Sequence, residues 1–212
     1  IDPGHGGYDP GAERGGVREA DLVLAMAQDL ATALDRHGIA TAFTRDSDEF
    51  VSLADRLARA NRSKADVFIS FHADALPDGR ASGATVHSLP SDADAAGNRF
   101  LLSRLGHEAL GSTEGVVTDT AAEALIDLSR APMRQAGARL AQDMVEDMKT
   151  AGIALYKTPL KQSNFVVLRG ADMASVLVEL GYLSEPEDRA RLTDPAWRAR
   201  MATALAAGVR DW

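Results

Sequence analysis

His5 lies in the glycine-rich stretch IDPGHGGYDPGA, residues 1–12, directly after one strand-like residue. Glycine is used where the backbone must turn sharply or pass close to another group. The stretch therefore predicts either a tight turn that carries a histidine, or a loop that brings an imidazole to a ligand or a metal ion. These residues alone do not separate the two interpretations.

Glu179 interrupts the apolar run VLVEL, residues 176–180. Such a run is typical of a strand that is covered on both faces. An unpaired carboxylate is costly there and is stabilised by a partner, a metal ion or a raised pKa. We therefore predict a functional role for Glu179. The alternative is a glutamate at the solvent end of the strand.

Glu19 and two histidines are further candidates. Glu19 precedes Val23 by four residues and Met26 by seven, which places it on the apolar face of a helix predicted over 19–37; alternatively, it is a first-turn acid that interacts with the helix dipole. His72 ends a predicted buried strand, and His5 follows another. Because sites in open α/β sheets gather beyond the carboxyl ends of strands, both histidines are expected at one edge of the sheet.

A set of two histidines and one glutamate is the pattern of a catalytic zinc site, which keeps its fourth position open for water. A second glutamate that does not bind the metal would carry protons in a hydrolase. The chain has no cysteine, which excludes disulfides, thiolate nucleophiles and Cys-type zinc sites. The spacing does not show that these residues meet in space.

The elements that must position these residues alternate along the chain. We predict strands over 39–45 (IATAFTR), 66–73, 82–89, 164–170 (NFVVLRG) and 175–183, and helices over 19–37, 52–64, 186–192 and 195–209. This alternation predicts an α/β fold, with a mixed, largely parallel sheet flanked by helices.

A long segment between the strands is almost free of strand signal, roughly residues 91–150. It reads as helices that are broken near 111–118, with Pro132 inside or at a kink of the second helix. Its length exceeds that of a routine connection, so we expect a helical insertion with a function of its own.

The bulk composition excludes several classes of partner. The chain has 212 residues, of which 45% are hydrophobic and 25% charged, and its net charge is −8. No basic run interleaves with aromatic residues, so no nucleic-acid partner is expected. No apolar stretch reaches the roughly 20 residues of a membrane span. The chain opens at Ile1 without a methionine, so we expect a trimmed domain from which an export signal and any targeting domain are missing.

Several stretches together resemble a known family. IDPGHGGYDPGA, READLVLAMAQDLATAL, TRDSDEFVSLADRLARAN, ADVFISFHAD and SVLVELGYLSEPED are similar, in this order, to the zinc-dependent N-acetylmuramoyl-L-alanine amidases of the amidase-3 family. The resemblance covers nearly the whole chain. It implies a single catalytic domain over 1–212 with a twisted sheet, and hydrolysis of the amide between N-acetylmuramic acid and L-alanine in peptidoglycan.

The resemblance also implies roles for individual residues. His5, Glu19 and His72 would bind one Zn²⁺, and Glu179 would be the catalytic glutamate. Asn164 occupies a position that the family often fills with asparagine, and is a candidate substrate contact. Asp74 departs from the asparagine that the family usually has two residues after the second histidine, which puts a substrate hydrogen bond from that position in doubt.

The insertion resembles that of the cell-division members of the family, in which a helix covers the site and one side chain takes the open position of the zinc until an activator removes it. We expect a regulatory insertion at about 91–130. Glu108 is the preferred blocking ligand, and His107 and Glu114 are alternatives. The other interpretation of this segment is an ordinary solvated helix. The resemblance further implies a role in daughter-cell separation, in the periplasm or elsewhere outside the cytoplasm, with a division-site activator as partner. We also expect a monomer.

Two other functions fit the same residues. Two histidines and a glutamate beside a second glutamate describe metal hydrolysis in general, so a zinc peptidase or a deacetylase acting on cell-wall substrates is an alternative. An inactive wall-binding module is another, although all four residues of the set are present here. Two softer predictions concern structure: Arg45 and Asp46 are expected to brace a strand end, and His87 to be structural.

Overall fold

The computed structural model of this protein describes residues 1–76, 81–90, 119–169 and 173–212, of which 119–130 are described as backbone alone. The predictions for His107, Glu108 and Glu114, and the predicted helix break near 111–118, fall outside these ranges.

A mixed sheet of five strands forms the centre of the fold. Its strands, in spatial order, are β1 (Asp2–Pro3), β4 (Val67–His72), β7 (Ala174–Glu179), β5 (Ala84–Ser88) and β6 (Leu155–Gln162). β5 runs antiparallel to β7, and the other neighbouring strands are parallel. The predicted α/β fold with a largely parallel sheet is confirmed. A hairpin of β2 (Glu13–Arg14) and β3 (Val17–Arg18) precedes the first helix.

Helices cover both faces of the sheet. They are α1 (Glu19–Asp35), α2 (Leu53–Ser63), α3 (Asp119–Thr150), α4 (Val166–Arg169), α5 (Pro186–Thr193) and α6 (Pro195–Asp211). The larger core lies between the sheet and α1, α3 and α6, while a smaller core lies under α2 and α4. None of the helices in the described parts of the chain has the length and apolar character needed to cross a bilayer.

Local sequence signals explain the helix ends. The Ser52 side chain accepts a hydrogen bond of 3.1 Å from the Asp55 amide and so caps α2. Asp194 caps α6 through the Ala196 amide, and Pro195 occupies the first turn of that helix. Pro132 lies inside α3, as predicted, and the helix runs through it.

Two predicted strands are wrong, and the prediction missed the short hairpin of β2 and β3 and the edge strand β6. Residues 39–45 form no strand, because β1 has only two residues and provides few backbone groups for pairing. Thr44 donates one backbone hydrogen bond to the Ile1 carbonyl. The apolar run in NFVVLRG forms the short helix α4, since a run of this length fits either state. β6 was missed because its sequence, LYKTPLKQ, contains a proline and exposed lysines, as edge strands do.

Candidate metal centre

His5 lies in a strained turn at the end of β1. Its φ angle is 57°, in the left-handed region that side chains rarely adopt. Gly4 donates to the Phe71 carbonyl at 3.0 Å, which holds the turn against β4. A Cβ atom on Gly4 would lie 2.7 Å from Nε2 of His72, so only glycine lets the two histidines approach at this point.

Two buried arginines hold the backbone of this turn. Arg45 donates from Nη2 to the Gly4 carbonyl at 2.7 Å and from Nε to the Pro3 carbonyl at 3.0 Å. Arg56 donates from Nη2 to the His5 carbonyl at 2.6 Å, and its Nη1 pairs with Oδ1 of Asp2 at 2.8 Å. These contacts fix the position of His5 from the backbone side. Arg45 therefore braces a strand end, as the sequence predicted.

Glu19 is the central residue of the cluster and is only 2% exposed. Its Oε1 atom lies 3.1 Å from Nε2 of His5 and 3.1 Å from Nδ1 of His72. The same oxygen accepts a hydrogen bond of 2.9 Å from the Ala73 amide, and Oε2 accepts one of 2.8 Å from the Ala12 amide. Glu19 thus joins the start of α1 to the ends of β1 and β4.

The structure brings together His5, Glu19 and His72, the three residues that the family resemblance implied as metal ligands. One donor atom from each lies within 4.8 Å of the other two, and the imidazole rings are 5.0 Å apart in an edge-to-face arrangement. Asp9 accepts a hydrogen bond of 2.9 Å from Nδ1 of His5. A carboxylate in this position fixes the tautomer of a metal-binding histidine and leaves Nε2 free to bind the metal.

The charges in the cluster favour a cation at its centre. Burial disfavours the charged form of Glu19, but its hydrogen bonds to His5 and His72 and their positive charges hold its pKa well below the usual range. Burial lowers the pKa of His5, yet the hydrogen bonds and charges of Glu19 and Asp9 outweigh it and raise the value to about 9. A metal ion bound by the same atoms would supply positive charge in place of a proton.

Glu179 lies next to the cluster at the end of β7. It pairs with His72 in the register of β4 and β7, and its Oε2 accepts a hydrogen bond of 3.3 Å from the Asp74 amide. Burial raises its pKa to about 7, with the positive charge of His72 opposing this shift and the negative charges of Glu19 and Asp74 adding to it. A carboxyl with such a pKa can both accept and return a proton near neutral pH.

The remaining predicted residues lie in different places. Asn164 is exposed in the loop after β6, next to Ser163. Ser163 hydrogen-bonds Nδ1 of His87 at 2.8 Å, and the other ring nitrogen of that buried histidine contacts Thr85 at 3.0 Å, which agrees with a structural role for His87. Asp74 is exposed, and it contacts Glu179 through its backbone amide.

Sequence reasoning missed Arg56 and Asp9. The signal for Arg56 was available, because it shares the apolar face of α2 with Leu57 and Ala60, as Glu19 shares that of α1. Asp9 could have been found from its position four residues after His5 in a glycine-rich turn. Arg56 holds the backbone of the metal centre, and Asp9 orients its first histidine.

Comparison with known proteins places the chain in a family. The Amidase_3 family, described as N-acetylmuramoyl-L-alanine amidase, matches residues 1–211. The chain belongs to this amidase family. It is 34% identical to the N-acetylmuramoyl-L-alanine amidase AmiA of Escherichia coli K12 over 213 residues, which cover 99% of this chain and 73% of AmiA.

Other relatives agree with this placement. The amidase AmiC of Neisseria meningitidis serogroup B is 33% identical over 215 residues, covering 100% of this chain and 51% of AmiC, so the chain spans about half the length of that relative. The solved structure of the amidase AmiC2 of Nostoc punctiforme is similar over 100% of this chain and 93% of its own, with 28% identity and a TM-score of 0.69. The fold of the CwlD amidase of Clostridioides difficile, solved in complex with the GerS lipoprotein, matches 99% of this chain and 93% of its own with a TM-score of 0.75 at 21% identity. The predicted amidase family is confirmed.

Proposed function

We propose that this chain is a zinc-dependent catalytic domain that hydrolyses the amide between the lactyl group of N-acetylmuramic acid and L-alanine in peptidoglycan. One observation carries the proposal: in a chain of the amidase family, the donor atoms of His5, Glu19 and His72 converge beside the carboxyl of Glu179. The family supplies the substrate, and the geometry supplies residues that suit hydrolysis.

The donor set fits a zinc ion. Two imidazole nitrogens and one carboxylate oxygen are ligands that Zn²⁺ accepts, and three protein ligands leave a position for water or substrate. Asp9 supplies the outer hydrogen bond that such a histidine usually makes. Zinc held by His5, Glu19 and His72 would polarise the substrate carbonyl and lower the pKa of a water molecule.

Glu179 is the proton carrier in this proposal. As the carboxylate it accepts a proton from the attacking water, and as the acid it returns that proton to the nitrogen of L-alanine when the amide breaks. The raised pKa of about 7 suits both roles, because the group gains and loses a proton near neutral pH. The Asp74 amide, which donates to Oε2, holds the carboxyl beside His72.

Regulation by the insertion belongs to the same proposal. We place a helical regulatory segment at about 91–130, with Glu108, or else His107 or Glu114, occupying the open zinc position until a division-site activator displaces it. The fold can carry a partner, since CwlD was solved with GerS. Replacing residues 92–130 by a flexible linker should raise basal activity on purified peptidoglycan. The shortened helix would begin close to Pro132, and proline is tolerated in the first turn of a helix. Unchanged turnover in a folded deletion variant would contradict this.

The cellular role follows from the substrate. Peptidoglycan lies outside the cytoplasm, so we propose that the domain acts in the periplasm or in another extracytoplasmic space, as a monomer, during daughter-cell separation. Asn164 is proposed as a substrate contact at the mouth of the site.

The test is a digestion of purified peptidoglycan by the zinc-loaded protein, together with metal analysis. We expect one zinc per chain and new N-terminal L-alanine among the products. Cleavage within the peptide would instead identify a peptidase, and release of acetate a deacetylase. Glu179→Gln should bind zinc equally well and lose about a thousandfold in turnover; retained activity would show that the proton carrier is another residue.

A further inference from the structure

Two exposed aromatic rings lie side by side near the metal centre. Tyr8 is 79% exposed and Phe50 is 41% exposed. Their ring centroids are 4.2 Å apart and their planes meet at 25°, so the rings stack. Stacking covers one face of each ring only. Leu53, which is 50% exposed, extends this apolar surface. A contiguous apolar surface beside a polar site indicates a binding role more strongly than a single exposed residue does.

The two loops that carry the rings are tied together. The amide of Gly7 donates to Oδ1 of Asp48 at 2.8 Å. Gly7 has a φ of 61°, and a Cβ atom there would lie 2.6 Å from the Phe50 amide nitrogen. The turn that presents Tyr8 is closed by backbone hydrogen bonds between Gly6 and Asp9 at 2.8 and 3.2 Å. The aromatic pair is therefore held in place by contacts within the protein, which lowers the entropy that a ligand must offset.

The aromatic surface is continuous with the metal centre. Phe50 and Leu53 line a cavity of about 120 Å³ together with His5 and His72. Tyr8 follows His5 by three residues in the same turn. Tyr8 stacks on Phe50, which lines this cavity, so a substrate whose reacting group lies at the histidines can reach the aromatic pair.

The charges around the rings favour a neutral ligand with hydroxyl groups. Asp9, Asp48 and Glu49 lie on the two loops, and carboxylates accept hydrogen bonds from hydroxyls. The neighbouring cations are already paired: Arg18 contacts Asp48 at 3.4 Å and Arg59 contacts Glu49 at 2.9 Å. A sugar ring offers apolar C–H bonds to the negative face of an aromatic ring and hydroxyls at its rim.

We propose that Tyr8 and Phe50 form a stacking platform for a sugar ring of the glycan strand, on the saccharide side of the amide that is cut. The inference rests on the proposed function, because it takes the substrate class from there. It adds a residue-level site for the glycan, and it places the peptide stem on the other side of the metal centre.

Binding of neutral oligosaccharides of β-1,4-linked N-acetylglucosamine, which present the ring faces of the glycan without a lactyl carboxylate, tests the platform without turnover. In the zinc-loaded protein, saturation-transfer NMR should show contact between sugar-ring protons and aromatic protons, and titration gives the Kd. Tyr8→Ala should weaken binding about fivefold, the worth of one aromatic contact, while Tyr8→Trp should retain it. Tyr8 is largely exposed, so its removal leaves the fold intact.

Trp212→Ala is the matched control, because it removes an aromatic ring that is 39% exposed at the C-terminal end of α6, and it should leave the Kd unchanged. Equal binding by wild type and Tyr8→Ala would overturn the platform, as would Tyr8-dependent binding of a sugar-free peptide stem in place of the glycan. A protein that cleaves the amide but binds no oligosaccharide would refute this inference alone. One that binds glycan through Tyr8 but cleaves no amide would refute the proposed function alone.

Discussion

Arg56 donates a hydrogen bond of 2.6 Å to the carbonyl oxygen of His5, although the two residues are 51 positions apart in the chain. The same guanidinium forms a buried ion pair with Asp2 at 2.8 Å. The position of the first histidine thus depends on a side chain that binds neither metal nor substrate in the proposed mechanism.

Removing this arginine should destabilise the whole domain. Arg56→Met leaves the Asp2 carboxylate buried without its cation, which costs about 3 kcal/mol in the free energy of unfolding. Urea denaturation measures the loss. The double variant Asp2→Asn/Arg56→Met should lose less than the sum of the single variants, because the unpaired charge is gone. Strict additivity would show that the pair is not coupled.

Gly11 should be required for metal binding. Its φ is 67°, and a Cβ atom there would lie 2.6 Å from Oε2 of Glu19 and 2.7 Å from Cδ2 of His5. Gly11→Ala should therefore displace a ligand and lower zinc affinity by about tenfold or more, as outer-contact changes do, measured by competition with a chelator.

Gly38 is a matched control for that substitution. It has a φ of 70°, and nothing lies within 4 Å of the position of its Cβ atom. Gly38→Ala should cost about 1 kcal/mol through backbone strain alone and leave zinc affinity unchanged. Equal loss of affinity in both variants would attribute the effect to general destabilisation.

Asp74→Asn should shift the pH dependence of hydrolysis. The negative charge of Asp74 contributes to the raised pKa of Glu179, which must be ionised to accept a proton. Activity therefore falls as the pH drops through this pKa, and the asparagine variant should move that acid limb of kcat/KM to lower pH by a fraction of a unit. A shift to higher pH would contradict the assignment of the limb to Glu179.

His87 should make the fold sensitive to acid. Burial and the charge of Lys161 lower its pKa from 6.5 to about 4, which corresponds to about 3 kcal/mol. The unfolded chain takes up this proton first, so stability is complete above pH 6.5 and is lost as the pH falls toward 4. The free energy of unfolding, measured with urea between pH 4 and 6.5, should depend less on pH in His87→Gln than in wild type. The same pH dependence in both proteins would assign the acid sensitivity to other groups.

The sequence predicted the sheet and most helices because their apolar periods are regular, as in α1 and β7. The prediction failed where tertiary contacts determine whether a segment forms a helix or a strand. β6 is an edge strand with Pro159 and lysines, and its pairing with β5 shifts register between Ala84 and Val86, so no strand-like alternation marks it. The apolar residues of α4 cover the smaller core as a single helical turn, which their composition does not specify.

The candidate site shows the same division. The burial of Glu19, and the position of the half-buried Glu179 at the end of a buried strand, could be predicted from the apolar patterns around them. The convergence of His5, Glu19 and His72 could not, because it depends on which strands are neighbours in the sheet; only the family resemblance supplied it. Arg56 was overlooked because a charged residue in a helix is usually taken as solvated.

The three donor residues come from a two-residue strand end, from the first turn of a helix and from the last position of β4, in a chain that cannot form disulfides. A metal ion bound by all three residues would cross-link these three segments, reversibly, within the N-terminal third of the domain. Chelators, and not reductants, would then loosen this protein, and the loosening would begin at the edge of the sheet that carries β1.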